Sequence, residues 1–220
     1  MHTRWRLLIA SLCLMGGISS THAESPKQTN HNILVVGDSL SAEYGIGRDT
    51  GWVQIVQRRL QEEKLDYAMR NASISGDTTS GGLSRMPAAL EQHKPAVVII
   101  ELGSNDALRG LALDVTQKNL DSMISLAQDA GARVLLVGMH IPANYGRSYT
   151  ERFHNLFKEL AERRDIALVP FLLEGVALNK DLFLDDGLHP NEAAQPAIAD
   201  NVWAVLHPML ATEPAKRSTK

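Results

Sequence analysis

The sequence predicts an α/β protein: a parallel sheet of about five strands with helices on both faces, in three layers. Two observations carry this expectation. Short apolar runs rich in β-branched residues recur along the chain, and amphipathic stretches at helical spacing separate them. Strand and helix therefore alternate from end to end, as a parallel sheet requires.

The elements follow in order. Residues 32–37 (Asn-Ile-Leu-Val-Val-Gly) form a continuous apolar run, read as a strand buried on both faces. Trp52, Val53, Ile55, Val56 and Leu60 recur at helical spacing with polar residues between them. Residues 67–72 read as a strand, and 83–92 as a helix closed by Pro95. A second strongly apolar strand spans 96–102. A helix over 115–129 follows, stopped by Gly131 as a C-terminal cap. Residues 133–138 are a third such strand, 149–163 a helix, and 167–169 a short strand before Pro170. The last helix begins near Asn191 or Glu192 and runs to about Leu206.

The ends read differently. Arg4 and Arg6 precede an apolar run from Leu7 to Ile18, then small and polar residues ending at Ala23. This is the layout of a secretory signal peptide, with cleavage expected after Ala23. The apolar run is shorter than the ~20 residues a membrane span needs, so no stable membrane anchor is expected. The expected products are a signal segment (1–23), one folded domain (24–211) and a polar tail without regular structure (212–220). The expected location is periplasmic or secreted.

Composition narrows the function. The chain has 220 residues, enough for one sizeable core. The formal net charge is -3, with no basic block to mark a nucleic-acid binder. Removing residues 1–23 takes away the only cysteine, Cys13. Thiol catalysis, disulfides and cysteine metal sites are thereby excluded from the mature chain. No His-Glu-x-x-His motif occurs, and neither metal nor cofactor is expected. A monomer is the default expectation.

In parallel sheets ligands bind beyond the carboxyl ends of the strands. Four polar clusters fall there: Gly37-Asp38-Ser39, Ser75-Gly76-Asp77-Thr78, Gly103-Ser104-Asn105-Asp106 and Asp186-Gly187-Leu188-His189. Each alone is an ordinary turn or cap sequence. Together they contain what acyl transfer needs. A serine hydroxyl needs a base within hydrogen-bond reach, and that histidine needs a carboxylate to fix its tautomer. Ser39, His189 and Asp186 can fill these roles. The N–H groups of Ser39 and Gly76, with the Asn105 amide, can form an oxyanion hole.

In this order and spacing, the clusters resemble the four blocks of the SGNH (GDSL) hydrolases. Within them, Leu108-Arg109-Gly110, 142–147 and 185–191 are similar to the bacterial thioesterase, protease and lysophospholipase branch. The resemblance implies a flavodoxin-like sheet and no metal. It implies broad activity on acyl thioesters, lysophospholipids and aryl esters. It places the nucleophile on Ser39, oxyanion donors on Gly76 and Asn105, and acid and base on Asp186 and His189. It also implies an acyl groove along the rim loops, where Leu108, Leu111, Ile141, Pro142 and Tyr145 are the candidate walls. The expected substrate is a small-molecule acyl ester or thioester. Two alternatives stand beside it: a carbohydrate O-acetyl esterase with a short polar site, and a lipid-binding module without catalysis.

Overall fold

A computed structural model describes residues 31–211, so the signal-segment and tail expectations lie outside the described residues. Five strands form one all-parallel sheet: β1 (His31–Gly37), β2 (Tyr67–Asn71), β3 (Val97–Glu101), β4 (Arg133–Val137) and β5 (Ala167–Val169). Their order is β2-β1-β3-β4-β5. The chain moves to one side after β1 and to the other after β2, so β1 and β3 flank the point where the winding reverses.

The helices are α1 (Trp52–Glu62), α2 (Thr79–His93), α3 (Ser104–Leu108), α4 (Leu113–Asp129), α5 (Arg147–Arg164) and α6 (Gln195–Ala211). α1 packs against α6, while α2 packs against α4 and α4 against α5. The core explains why the strands read as unbroken apolar runs. Ile33 to Val36 of β1, Val97 to Ile100 of β3 and Leu135 to Val137 of β4 are all fully buried between the layers.

Three helices depart from expectation in informative ways. α2 starts at Thr79, four residues before the expected 83, because Gly81-Gly82 reads as a helix breaker. The pair is set by close approach. A Cβ on Gly81 would lie 1.9 Å from Asp77 Oδ1, and one on Gly82 would lie 2.3 Å from Leu102 Cδ1. α6 continues to Ala211, through Pro208. α3 was not expected as a helix at all. It is a single short turn of Ser104–Leu108, too brief to show a period.

Asp106, in that turn, joins the layers. Its buried carboxylate accepts from Thr79 N–H (2.9 Å) and Thr79 Oγ1 (2.5 Å), anchoring the start of α2 to the end of β3. The last member of the Gly-Ser-Asn-Asp cluster thus organises the two loops that flank the rim.

Candidate active site

β1 ends at Gly37, and Asp38-Ser39 open the following turn, in which Asp38 C=O accepts from Ser41 and Ala42 N–H (3.3 and 3.0 Å). Ser39 is left half-buried at the carboxyl edge of the sheet. His189 reaches it from the far end of the chain, with Nε2 3.0 Å from Ser39 Oγ. The other ring nitrogen, Nδ1, lies 2.6 Å from Asp186 Oδ2. Asp186 Oδ1 meanwhile accepts from Leu188 and His189 N–H, both at 2.9 Å. One carboxylate therefore folds its own loop and orients the ring. These bonds hold the Asp186 carboxyl down at about 2, the His189 backbone N–H contributing most and its ring next. Asp186 is thus a carboxylate at any physiological pH, so His189 Nδ1 carries the proton and Nε2 faces Ser39 as acceptor. The Tyr44 ring leans on His189, centroids 4.4 Å apart.

The expected oxyanion donors converge on the same turn. Ile74 N–H donates to Gly37 C=O (3.1 Å), which brings the loop after β2 alongside the nucleophile turn. Ser39 and Gly76 N–H donate to no protein acceptor among the described residues. Gly76 C=O is held by Arg109 (2.9 Å). Asn105 differs: its Nδ2 donates both to Asp38 Oδ2 and to Asp77 C=O, each at 2.9 Å. Both amide hydrogens are engaged in the free site.

Beneath this layer lies a buried acid network that the motifs do not name. Glu101, the last residue of β3, is fully buried, and its Oε2 accepts from Ser41 Oγ (2.7 Å) and Asp38 N–H (3.2 Å). Oε1 is buried with no partner among the described residues. Burial, aided by the nearby Asp38 charge, holds the Glu101 carboxyl well above the usual carboxylate range, which favours its protonated form. Burial likewise pushes Asp38 up to about 6, against the opposing pull of Leu40 N–H. Gly37 is glycine because a Cβ there would lie 2.6 Å from Glu101 Oε2. On the other flank Arg85 pairs with Asp77 (2.8 Å) and donates to the Ala72 and Gly37 carbonyls. Glu101 had one visible signal, a lone charge inside an apolar strand. Arg85 had none.

A cavity of about 850 Å³ opens beside Ser39. Leu108, Ile141 and Pro142 line it, as expected. Leu111 and Tyr145 do not. Leu111 is exposed, its carbonyl accepting from Tyr149 Oη (2.9 Å), and Tyr145 Oη is bonded to Leu108 C=O (2.9 Å) from behind the wall. The expectation placed the groove after β3 and β4 only. The segment after β5 contributes as much, through Phe171, Leu173, Leu178 and Phe183, and lacks any period that would announce it. His140 also lines the cavity, its ring against His154 (3.8 Å) and Phe171 (4.3 Å). Burial and its neighbour lower the His140 pKa, which favours the neutral ring. No cluster of metal-ligating side chains is present among the described residues.

With this geometry in hand, comparison with known proteins is decisive. Residues 35–196 match the GDSL-like Lipase/Acylhydrolase family. The chain belongs to that family. It is 47% identical over 205 residues to esterase TesA of Pseudomonas aeruginosa, covering 93% of this chain and 100% of that protein. It is 42% identical over 178 residues to thioesterase 1/protease 1/lysophospholipase L1 of Escherichia coli, covering 81% and 84%. A crystal structure of TesA superposes with a TM-score of 0.79 at 50% identity, covering 81% of this chain and 99% of that one.

The buried network yields a prediction about Glu101. A carboxyl whose folded pKa is raised binds more protons folded than unfolded. Between the ordinary value of 4.5 and the raised folded value, wild-type stability falls as pH rises. Glu101→Gln cannot titrate, so its melting temperature relative to wild type should climb from pH 4.5 to neutrality. It should keep turnover within a few-fold. Glu101→Ala leaves Ser41 Oγ and Asp38 N–H without their acceptor, at a cost of about 1–3 kcal/mol for each group. Its kcat should fall more than its KM rises. A pH-independent difference for Glu101→Gln would show that Glu101 is ionised.

Proposed function

We propose that Ser39, His189 and Asp186 carry the chemistry of this chain, which is an ester and thioester hydrolase. One observation supports the assignment above all: the Ser39–His189–Asp186 chain of short hydrogen bonds opens directly onto a large apolar cavity. The two alternatives lose their footing. A short polar sugar site does not fit walls of Leu, Ile, Met and Phe. A carrier without catalysis does not fit relatives named as esterase, arylesterase and thioesterase.

The reaction proceeds in two steps. Ser39 Oγ attacks the acyl carbonyl carbon while His189 Nε2 takes its proton, and Asp186 stabilises the imidazolium that forms. The carbonyl oxygen, now negative, accepts from the free Ser39 and Gly76 N–H groups. Asn105 joins them when the N–H that it donates to Asp77 C=O turns to donate to the oxyanion instead, the hydrogen staying on the amide. Each such donor contributes about 10²–10³ in rate. The carbonyl re-forms, the carbon–sulfur or carbon–oxygen bond breaks, and His189 protonates the departing thiol or alcohol. Water, deprotonated by His189, then attacks the acyl-serine and releases the acid. The acyl chain lies along Leu108, Ile141 and Phe171.

We also propose that the chain is exported and cut after Ala23. N-terminal sequencing of the protein from the periplasm or medium should begin at Glu24; retention in the cytosol with Met1 intact would contradict this.

The substrate class is tested with p-nitrophenyl esters from acetate to palmitate. Hydrolysis should rise toward medium or long chains, and Ser39→Ala should lower turnover about 10⁴-fold or more. Activity confined to acetate would mean that the cavity does not hold acyl chains. Activity surviving in Ser39→Ala would remove Ser39 from the mechanism.

A further inference from the structure

The surface apolar residues are not scattered. The large hydrophobic side chains exposed among the described residues are Tyr44, Ile74, Leu111, Val115, Tyr145, Leu178 and Leu188. Each lies in the connection that follows a strand: Leu111 and Val115 come after the short turn of α3, Leu111 before α4 and Val115 in its first turn, and the others between a strand and the next α-helix. Tyr44 follows β1, Ile74 follows β2, Leu111 and Val115 follow β3, Tyr145 follows β4, and Leu178 and Leu188 follow β5. In an all-parallel sheet these connections share one edge. Only Val115 of this set belongs to an α-helix, at the first turn of α4, and none lies at the amino edge of the sheet. Single exposed apolar residues need no explanation, but their convergence on one rim does.

The rim is also continuous with the site. Leu178 and Leu188 belong both to the exposed set and to the cavity wall, with Leu178 fully exposed. Tyr44 rests on His189, and Tyr145 is bonded to the carbonyl of Leu108, another wall residue. The apolar lining of the cavity thus continues outward into the exposed set at Leu178 and Leu188.

We propose that this rim docks the protein, cavity mouth down, on a zwitterionic lipid–water interface, from which acyl substrates enter the cavity. Isolated Leu, Ile and Val tips insert at the acyl boundary, while Tyr44 and Tyr145 suit headgroup depth, their rings apolar and their hydroxyls polar. The charges of the same loops fix the headgroup type. Arg48, Arg109, Arg147 and Lys180 are exposed there, but so are Asp49, Asp114, Asp181 and Asp185. A rim of mixed sign has no reason to prefer an anionic surface. Among the described residues no helix is long and apolar enough to cross a membrane, and the proposed contact is made by the rim residues alone. The inference rests on the acyl-hydrolase reading for its substrate but not for its binding surface.

The test is flotation of the purified Ser39→Ala protein with phosphatidylcholine vesicles, which separates docking from turnover. The protein should rise with the vesicles, and about 0.5 M salt should not release it. The variant Leu111→Asp/Val115→Glu alters two rim positions outside the cavity wall. Placed in the Ser39→Ala background, it should weaken vesicle affinity about tenfold or more. Placed in the active protein, it should hydrolyse a short soluble ester at the wild-type rate. The milder Val115→Ser should shift flotation in the same direction. All variants share one N-terminus, so differences between them report the rim. Failure to float, flotation with anionic vesicles alone that salt abolishes, or flotation unchanged in both rim variants would overturn the proposal. So would a dimer that the double variant dissolves, since the rim would then cover a second copy. If flotation occurs but Ser39→Ala retains full activity, docking stands and the serine mechanism falls.

Discussion

Gly37 at the end of β1 lies beside Glu101 at the end of β3, and this parallel register sets the geometry of everything at the rim. It puts Asp38 N–H and Ser41 Oγ on the Glu101 carboxyl, so the turn presenting Ser39 is held from below. Four residues past Glu101, Asn105 meets the Asp38 carboxylate. Ser39 and Asn105, the proposed nucleophile and one proposed oxyanion donor, are therefore fixed relative to each other through sheet pairing. Any slip in this register would separate them.

The cost of the arrangement is two buried acids in close proximity, Asp38 and Glu101. Two carboxylates cannot both ionise cheaply there. Burial favours the protonated form of Glu101, while Asp38, pushed up only to about 6, accepts from Leu40 N–H and the Asn105 amide, which favour its charged form. Asp186 illustrates the opposite environment. It stays near solvent, accepts three hydrogen bonds, and remains ionised where His189 needs a fixed negative partner. Three acids around one serine thus differ in pKa because they differ in burial and in donors.

Much of this was legible beforehand. Buried parallel strands are apolar on both faces, so β1, β3 and β4 stood out as runs, and the residues following them located the four polar clusters. Ser39, His189 and Asp186 do converge at hydrogen-bond distance although up to 150 residues separate them. What was not legible depended on contacts between distant elements. The Gly81-Gly82 start of α2 reads locally as a break, and only the crowding by Asp77 and Leu102 explains it. The wall after β5 has no repeat to announce it. Leu111 and Tyr145 sit in the expected connections but outside the cavity lining, since side-chain placement in a loop is set by tertiary bonds such as Tyr145 to Leu108.

The central claim is that Ser39 is a nucleophile activated by His189. It is tested most directly by treating the protein with a fluorophosphonate and locating the adduct by peptide mass spectrometry. A single adduct on the peptide containing Ser39 is expected, formed rapidly in the native protein and slowed by orders of magnitude in His189→Ala. An adduct on another residue, or labelling of Ser39 that His189→Ala leaves unchanged, would contradict it.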